Sequence, residues 1–175
     1  LTGIRDISTI QTAPEERLPI ITHIGSYDRQ LVRQAILREM ERGGQVYLVH
    51  NRVQTIQMKV NEVAALVPEA RIAMAHGQMA EHELEQVMLS FARGDFDVLV
   101  CTSIIESGVD IPNANTILID RADWFGLAQL YQLRGRVGRG AQRAYAYFFH
   151  PPWSKLSEDA VQRLQTIKEY NDLGA

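Results

Sequence analysis

The sequence has few of the features that mark membrane, secreted or fibrous proteins. Of its 175 residues, one is cysteine, six are proline and 12 are glycine, which excludes an internal disulfide, collagen-like repeats and low-complexity tracts. No apolar run approaches the ~20 residues that cross a bilayer, and no basic and apolar leader opens the chain. These absences predict a cytoplasmic protein with no membrane partner. A G-x-x-x-x-G-K-S/T phosphate loop is also missing.

The charge balance does not identify a partner. There are 18 lysines and arginines against 21 aspartates and glutamates, giving a net charge of −3. A domain that binds nucleic acid by electrostatics alone is usually basic, so any contact with a phosphate backbone must come from local arginines and backbone N–H groups. Because the chain starts at Leu1 rather than at methionine, we expect one domain that is a fragment of a longer protein.

Apolar periodicity alternates between strand-like and helix-like along the chain. Strands are predicted over 20–24, 45–50, 71–75, 98–101, 117–120 and 144–149. Helical spacing follows each of the first two strands and is also found over 81–93, 127–133 and 158–170. Alternation of this kind predicts a mostly parallel central sheet covered on both faces by helices, a three-layer α/β/α fold.

Two helix starts have sequence signals for capping. Ser26 stands where an N-cap is expected, with Asp28 in the first turn that follows. Asn51 followed by Gln54 resembles a capping box for the next helix. Both signals place the helices directly behind the strands that precede them.

The loops that follow the strands are the first places to look for a site, because ligands of open parallel sheets bind beyond the carboxyl ends of the strands. Thr102 and Ser103 follow a short apolar strand and offer hydroxyls and N–H groups to a phosphate. Gly108 permits a close backbone approach, and Asp110 suits a ribose hydroxyl or an arginine partner. The alternative is structural, with Thr102 capping a helix and Asp110 beginning a turn.

A second stretch contains three arginines in six positions, Arg134, Arg136 and Arg139, with Gly135 and Gly138 between them. The guanidinium is always charged and its planar fork matches phosphate oxygens. Such arginines stabilise charge on a transferring phosphoryl group in nucleotide hydrolysis. The alternative here is a solvated basic turn.

Other candidates are weaker. His76 and Gly77 follow a strand and could touch a nucleic-acid backbone or belong to an ordinary polar loop, and Trp124 is interpreted as a core or interface residue. The five histidines and Cys101 show no zinc-ligand spacing, so no metal site is predicted.

Four segments together resemble conserved motifs of superfamily 2 helicases and translocases. Residues 132–139 resemble motif VI, 101–110 motif V, 45–52 motif IV, and 76–79 the motif that follows it. The resemblance implies the second RecA-like lobe of such a motor. The missing phosphate loop would then belong to the first lobe.

Within this superfamily the chain is most similar to the RecG-type branch, and in that branch to the transcription-repair coupling factors. Residues 3–8, 76–79 and 121–130 carry this likeness, while Gly140 and Trp124 depart from the usual pattern. The resemblance divides the chain into three parts. These are a linker from the first lobe (1–19), the RecA-like lobe (20–153) and the start of a helical hairpin that couples ATP hydrolysis to translocation (154–175).

The resemblance also implies roles for individual residues. Arg136 and Arg139 would be arginine fingers, and Gln132 would position the γ-phosphate or the attacking water. The other residues fall into two groups, with Gly108, Asp110 and Gly135 binding ATP, and Asn51, Arg52, His76, Gly77, Thr102 and Ser103 binding DNA. The implied cofactor is ATP with Mg, held mainly by the first lobe. The implied partners are double-stranded DNA, the first lobe, and RNA polymerase and excision-repair proteins contacted through other domains.

Three functions follow, in order of preference. The first is a lobe of a DNA translocase that dislodges stalled RNA polymerase. The second is a RecG-like lobe that remodels replication forks. The third is a RecA-like module that binds nucleic acid or protein without hydrolysis, although a degenerate copy has no reason to keep Gln132, Arg136 and Arg139.

Overall fold

The computed structural model describes residues 18–103 and 109–172, and in these a sheet of six strands separates two layers of helices. The strands are β1 (Ile21–Ser26), β2 (Gln45–Val49), β3 (Ile72–Ala75), β4 (Val98–Cys101), β5 (Ala114–Ile119) and β6 (Tyr145–His150). The helices are α1 (Arg29–Glu41), α2 (Val53–Leu66), α3 (Glu81–Ala92), α4 (Leu127–Arg134) and α5 (Glu158–Asp172), with short 3-10 turns η1 (Ala122–Trp124) and η2 (Trp153–Lys155). Most of the predicted linker lies outside the described residues.

The strand order is β1-β6-β5-β2-β4-β3, and every neighbouring pair is parallel. Two apolar cores lie on the two faces of this sheet. Buried residues of α3, α4 and α5 pack on one face, and those of α1 and α2 pack on the other. The predicted three-layer α/β/α fold is therefore confirmed. No helix in the described ranges is long and apolar enough to span a bilayer.

The strand β5 begins earlier than the sequence predicts, at Ala114 rather than at 117. Its first residues include Asn115 and Thr116, which are polar and nevertheless buried. Because these residues are polar, a search for apolar runs does not detect the start of the strand. Thr116 can be buried because its hydroxyl donates a hydrogen bond to the Glu39 carboxylate at 2.5 Å.

Both predicted caps are wrong in detail. The strand β1 runs through Ser26, so the N-cap of α1 is Asp28, whose carboxylate accepts from the N–H groups of Gln30 and Leu31 at 2.9 and 3.4 Å. The helix α2 begins after Arg52 and has no side-chain cap, so the capping box predicted for Asn51 does not form.

Glu39 is a buried carboxylate within the layer formed by α1. Its side chain is 1% exposed, although it belongs to a residue type that is rarely buried without a partner. Arg42 donates to both of its oxygens at 2.8 Å, and Thr116 donates to one of them. The tight turn at Gly44 leaves no room for a side chain beside this carboxylate.

The helix α5 is fixed to the turn η1. Leu164 and Ile167 are fully buried against the core on that face. Arg163 donates to the carbonyl oxygens of Asp123 and Phe125 at 3.0 and 3.1 Å. These bonds join the last described helix to the turn that precedes α4.

We expect Arg42→Met to lower the free energy of unfolding by about 3 kcal/mol, because removing one partner of a buried ion pair leaves an uncompensated charge. We take the lower end of the destabilisation usual for a broken buried ion pair, because the Arg42 side chain is 25% exposed. The measurement is urea unfolding of the chain. The double variant Arg42→Met/Glu39→Leu should recover most of the loss, and a double variant no more stable than the single one would contradict this account.

Candidate functional site

The carboxyl ends of three neighbouring strands lie level with one another. Cys101 at the end of β4 pairs with Val49 of β2 on one side and with Ala75 of β3 on the other. The next residues continue this register, since His50 N–H donates to Cys101 at 2.8 Å and Thr102 N–H donates to Ala75 at 3.3 Å. The predicted DNA-binding residues are thereby brought to one edge: Asn51 and Arg52 after β2, Thr102 and Ser103 after β4, and His76 and Gly77 after β3.

The groups on this edge differ in how far they are open to a ligand. Asn51, Arg52, Gly77 and Ser103 are exposed, and His76 is half-buried, with its Nδ1 accepting from the N–H of Gln78 in the same loop at 3.2 Å. Thr102 is only 7% exposed. The edge therefore offers a guanidinium, an amide, a hydroxyl and backbone groups, which are the usual protein donors to phosphate oxygens.

A buried polar cluster that sequence reasoning missed lies beneath this edge. The Nδ1 atom of His50 is 2.6 Å from the Asp120 carboxylate at the end of β5, and Nε2 is 2.6 Å from the Thr55 hydroxyl on α2. Lys59 of α2 lies 3.3 Å from the same carboxylate. The cluster joins the ends of β2 and β5 to α2, and it fixes the loop that carries the exposed Arg52.

The same cluster continues to Tyr27, which lies between β1 and α1. Lys59 is 3.2 Å from Glu62, and the Tyr27 hydroxyl donates to Glu62 at 2.6 Å. Burial, and then the bond to Glu62, raise the pKa of the Tyr27 phenol. Burial opposes ionisation of Glu62, but the bond from Tyr27 and the charge of Lys59 lower its pKa overall.

The predicted arginine fingers lie on a tight turn that follows α4. Arg134 is the last helical residue and stacks on Tyr131, with its guanidinium carbon 5.2 Å from the ring centroid. Arg136 N–H still donates to the helix, at 3.1 Å from the Leu133 carbonyl. Arg136 is half-buried and Arg139 is exposed.

Of the two glycines in this turn, Gly138 is the one whose backbone requires glycine. Its φ is +81°, and an added Cβ would lie 3.3 Å from side-chain atoms of Ala144 and Ile20. Gly135 is exposed, and its φ of −69° suits any residue. The contacts of Gly138 place the turn at the amino ends of β6 and β1.

The predicted nucleotide-binding residues gather at this amino-terminal edge. Asp110 precedes β5, and its carboxylate is 3.8 Å from Nε of Arg139, with both side chains more than half exposed. Burial raises the pKa of the Tyr47 phenol, Cys101 and Asp110 add smaller increases, and the charges of Arg136 and Arg139 oppose the rise.

Gln132 is exposed on α4, one turn before the arginines, and Gly108 lies outside the described residues. The candidates thus form two sets near opposite edges of the sheet rather than one site. The described ranges contain no group of three or more His, Cys, Asp or Glu side chains placed to hold a metal ion.

We expect Gly138→Ala to lower the free energy of unfolding by about 1–2 kcal/mol, the usual cost of a left-handed backbone for a residue with a Cβ. Gly135→Ala is the matched control, since its backbone is already helical and the added Cβ meets only ordinary contacts. Urea unfolding of the two variants side by side is the measurement. Equal stability of the two would show that the Gly138 conformation is not needed.

Comparison with known proteins agrees with this fold and these motifs. The model of the helicase conserved C-terminal domain matches residues 28–141. The transcription-repair-coupling factors of Bacillus subtilis (strain 168) and Staphylococcus haemolyticus (strain JCSC1435) are 56% and 53% identical over 173 residues, which is 99% of this chain. The chain spans 15% of the length of these two relatives.

Solved structures support the same assignment. RecG bound to a three-way DNA junction is 36% identical with a TM-score of 0.74, covering 86% of this chain and 20% of that one. The C-terminal domain of the DEAD-box protein Dbp5 shares the fold at 17% identity, with a TM-score of 0.62 over 87% of this chain and 85% of that one. The predicted resemblance to a superfamily 2 second lobe is confirmed, and the chain belongs to the family of helicase conserved C-terminal domains.

Proposed function

We propose that the chain is the second lobe of an ATP-dependent double-stranded DNA translocase of transcription-coupled repair. The observation that carries this proposal is the division of the candidate residues between two edges of one sheet. One lobe can therefore hold DNA at the carboxyl edge while its amino edge meets a nucleotide. The high identity to transcription-repair-coupling factors over nearly the whole chain supports the biological setting.

At the carboxyl edge, the six candidate residues would hold one strand of a duplex by its phosphates. Contacts of this kind fix position without reading sequence. Since the chain has a net charge of −3, local groups such as Arg52 would provide the attraction, and binding should weaken as salt rises. A motor on chromosomal DNA works in the bacterial cytoplasm.

At the amino edge, the residues fit the phosphates of ATP better than they fit its Mg. Arg136, Arg139 and Gln132 offer N–H donors, and ATP would supply the phosphoryl group whose charge they stabilise. Asp110 is solvent-exposed and not in tight contact with Arg139. Arg139 can therefore leave the Asp110 carboxylate and bind a phosphate of ATP with little loss of free energy. Gly108 and Gly135 would let the backbone approach, and Mg would be held mainly by the first lobe.

The wider mechanism extends beyond this chain. Residues 20–153 would form the lobe, 1–19 its linker, and 154–175, which include α5, the start of the coupling hairpin. Opening and closing against the first lobe would move the motor along DNA. Stalled RNA polymerase and excision-repair proteins would be engaged through other domains.

A RecG-like function in fork remodelling is the second candidate. It is favoured by the structural match to RecG, but that match has 36% identity against 56% for the coupling factor. A polymerase-binding domain upstream in the same protein would select the coupling factor.

The isolated chain should neither bind ATP measurably nor hydrolyse it, because it has no phosphate loop. Equilibrium dialysis with labelled ATP and a phosphate-release assay are the measurements. Turnover that copurifies with the chain and disappears in Arg136→Ala would contradict the assignment as a second lobe.

In the intact motor, Arg136→Lys and Arg139→Lys should each bind ATP and DNA but lose roughly 10³–10⁵-fold in hydrolysis rate. Lysine keeps the charge and loses the fork that matches phosphate oxygens in two places. ATPase rates beside filter-binding affinities for DNA are the measurement.

Arg134→Lys is the matched control in the same segment. Arg134 belongs to α4 and stacks on Tyr131, so its replacement should have a milder effect on hydrolysis. If Arg134→Lys abolished hydrolysis and Arg139→Lys behaved as wild type, our placement of the fingers would be wrong.

A further inference from the structure

Trp124 lies in the loop after β5, which neighbours β2 in the sheet. The guanidinium carbons of Arg52 and Arg121 lie 4.3 and 4.5 Å from the centroid of its ring. Both distances are well inside the ~6 Å over which a cation is attracted to an aromatic face. The loop after β5 therefore meets the loop after β2 at the carboxyl edge, through one tryptophan and two arginines.

The two arginines are not equivalent. Arg121 donates through Nε and Nη2 to the Asp123 carboxylate at 2.9 and 2.7 Å, so its charge is compensated and its fork is occupied. Arg52 is exposed, and in the ranges that the structure describes its guanidinium makes no hydrogen bond or ion pair. The stack thus presents one guanidinium whose donors are available to an anion.

We propose that Trp124 is a positioning residue that holds the Arg52 guanidinium at the carboxyl edge, ready for a phosphate of the DNA backbone. This rests on the proposed function, in which Arg52 contacts DNA. It extends the DNA edge from three loops to four, in the order of the strands β5, β2, β4 and β3.

The physical effect is preorganisation. A free arginine side chain loses rotamer entropy when it is immobilised, and stacking on Trp124 removes part of that freedom before DNA arrives. Tryptophan provides the best face for a cation among the aromatic residues. Stacking uses the face of the guanidinium and leaves its N–H groups, which lie in the plane, free to donate.

The ring itself is held in place from several sides. The His50 ring packs edge-on against it, with centroids 5.8 Å apart, and His50 is fixed by the buried Asp120 and by the half-buried Thr55. Arg163 of α5 donates to the backbone on either side of Trp124. A platform fixed in this way can order a flexible side chain.

The test is duplex binding by the intact motor over a salt series, with a random-sequence DNA duplex as the probe. Arg52→Ala should weaken binding and reduce the slope of log affinity against log salt by about 0.9, the value for one phosphate contact. Trp124→Leu should weaken binding roughly two- to fivefold, as expected for an exposed cation–π contact, and leave the slope unchanged because Arg52 keeps its charge. Trp124→Phe should recover part of this loss.

The decisive measurement is the double variant Arg52→Ala/Trp124→Leu, which should bind DNA no more weakly than Arg52→Ala alone. A general loss of structure would instead add to the effect of Arg52→Ala, and that outcome would overturn the proposal. The matched control is Trp153→Leu, since Trp153 follows β6 at the same edge and its ring packs against His150 rather than against an arginine, with centroids 4.1 Å apart; this variant should bind as wild type. If Trp124→Leu does not fold, the same cycle is run with Trp124→Phe.

The same measurements distinguish failure of the proposed Arg52–DNA contact from failure of the positioning role of Trp124. If Arg52→Ala binds DNA with unchanged affinity and slope, the proposed DNA contact of Arg52 is wrong, and the role of Trp124 is wrong with it. If Arg52→Ala has its expected effect and neither Trp124 variant has any, only the positioning role is wrong.

Discussion

The parallel direction of all six strands is the constraint on which the arrangement of the rest depends. Each connection must return the chain from the carboxyl edge of the sheet to its amino edge. The first and last residues of one connecting segment therefore lie at opposite edges, even when the segment is short. The segment between β4 and β5 shows this directly, since Thr102 lies at one edge and Asp110 at the other. Parallel pairing thus separates the residues that we propose to contact DNA from those that we propose to contact a nucleotide, without a second domain.

Buried charge is organised around the same sheet. Glu39 lies between Arg42 and the strand residue Thr116, and Asp120 lies between His50 and Lys59. Because these carboxylates are buried and paired, they do not repel a phosphate that approaches the surface. The net negative charge of the chain is therefore a poor guide to the electrostatic potential at the carboxyl edge. Breaking either cluster would lower stability, and the cluster around Asp120 also fixes the loop that carries the exposed Arg52.

The fold was largely predictable because it depends on local apolar patterning. The strand β4 has the predicted bounds, and the motifs place the arginine turn directly after α4. The pattern failed where polar residues are buried, as at Thr116 at the start of β5. Ser26 and Asp28 are two possible caps only two positions apart, and the sequence cannot choose between them until the end of β1 is known.

For the site, sequence could identify residue types but not their grouping. The rule that ligands bind at carboxyl ends of parallel strands applies to the loops after β2, β3 and β4, and it does not find the arginine turn at the amino edge. The cluster around His50 joins residues as far apart as His50 and Asp120, and no local pattern contains that pairing. Trp124 could be interpreted only as core or interface until its contacts with Arg52 and Arg121 were seen.

The two hydrogen bonds from Arg163 to the backbone of η1 have a mechanical consequence. A hydrogen bond tolerates only a few tenths of an ångström of stretch before it weakens, so α5 and η1 must shift together in any small displacement. Because Trp124 is part of η1 and α4 follows it closely, a pull along α5 would reach both the carboxyl edge of the sheet and the helix that precedes the arginine turn.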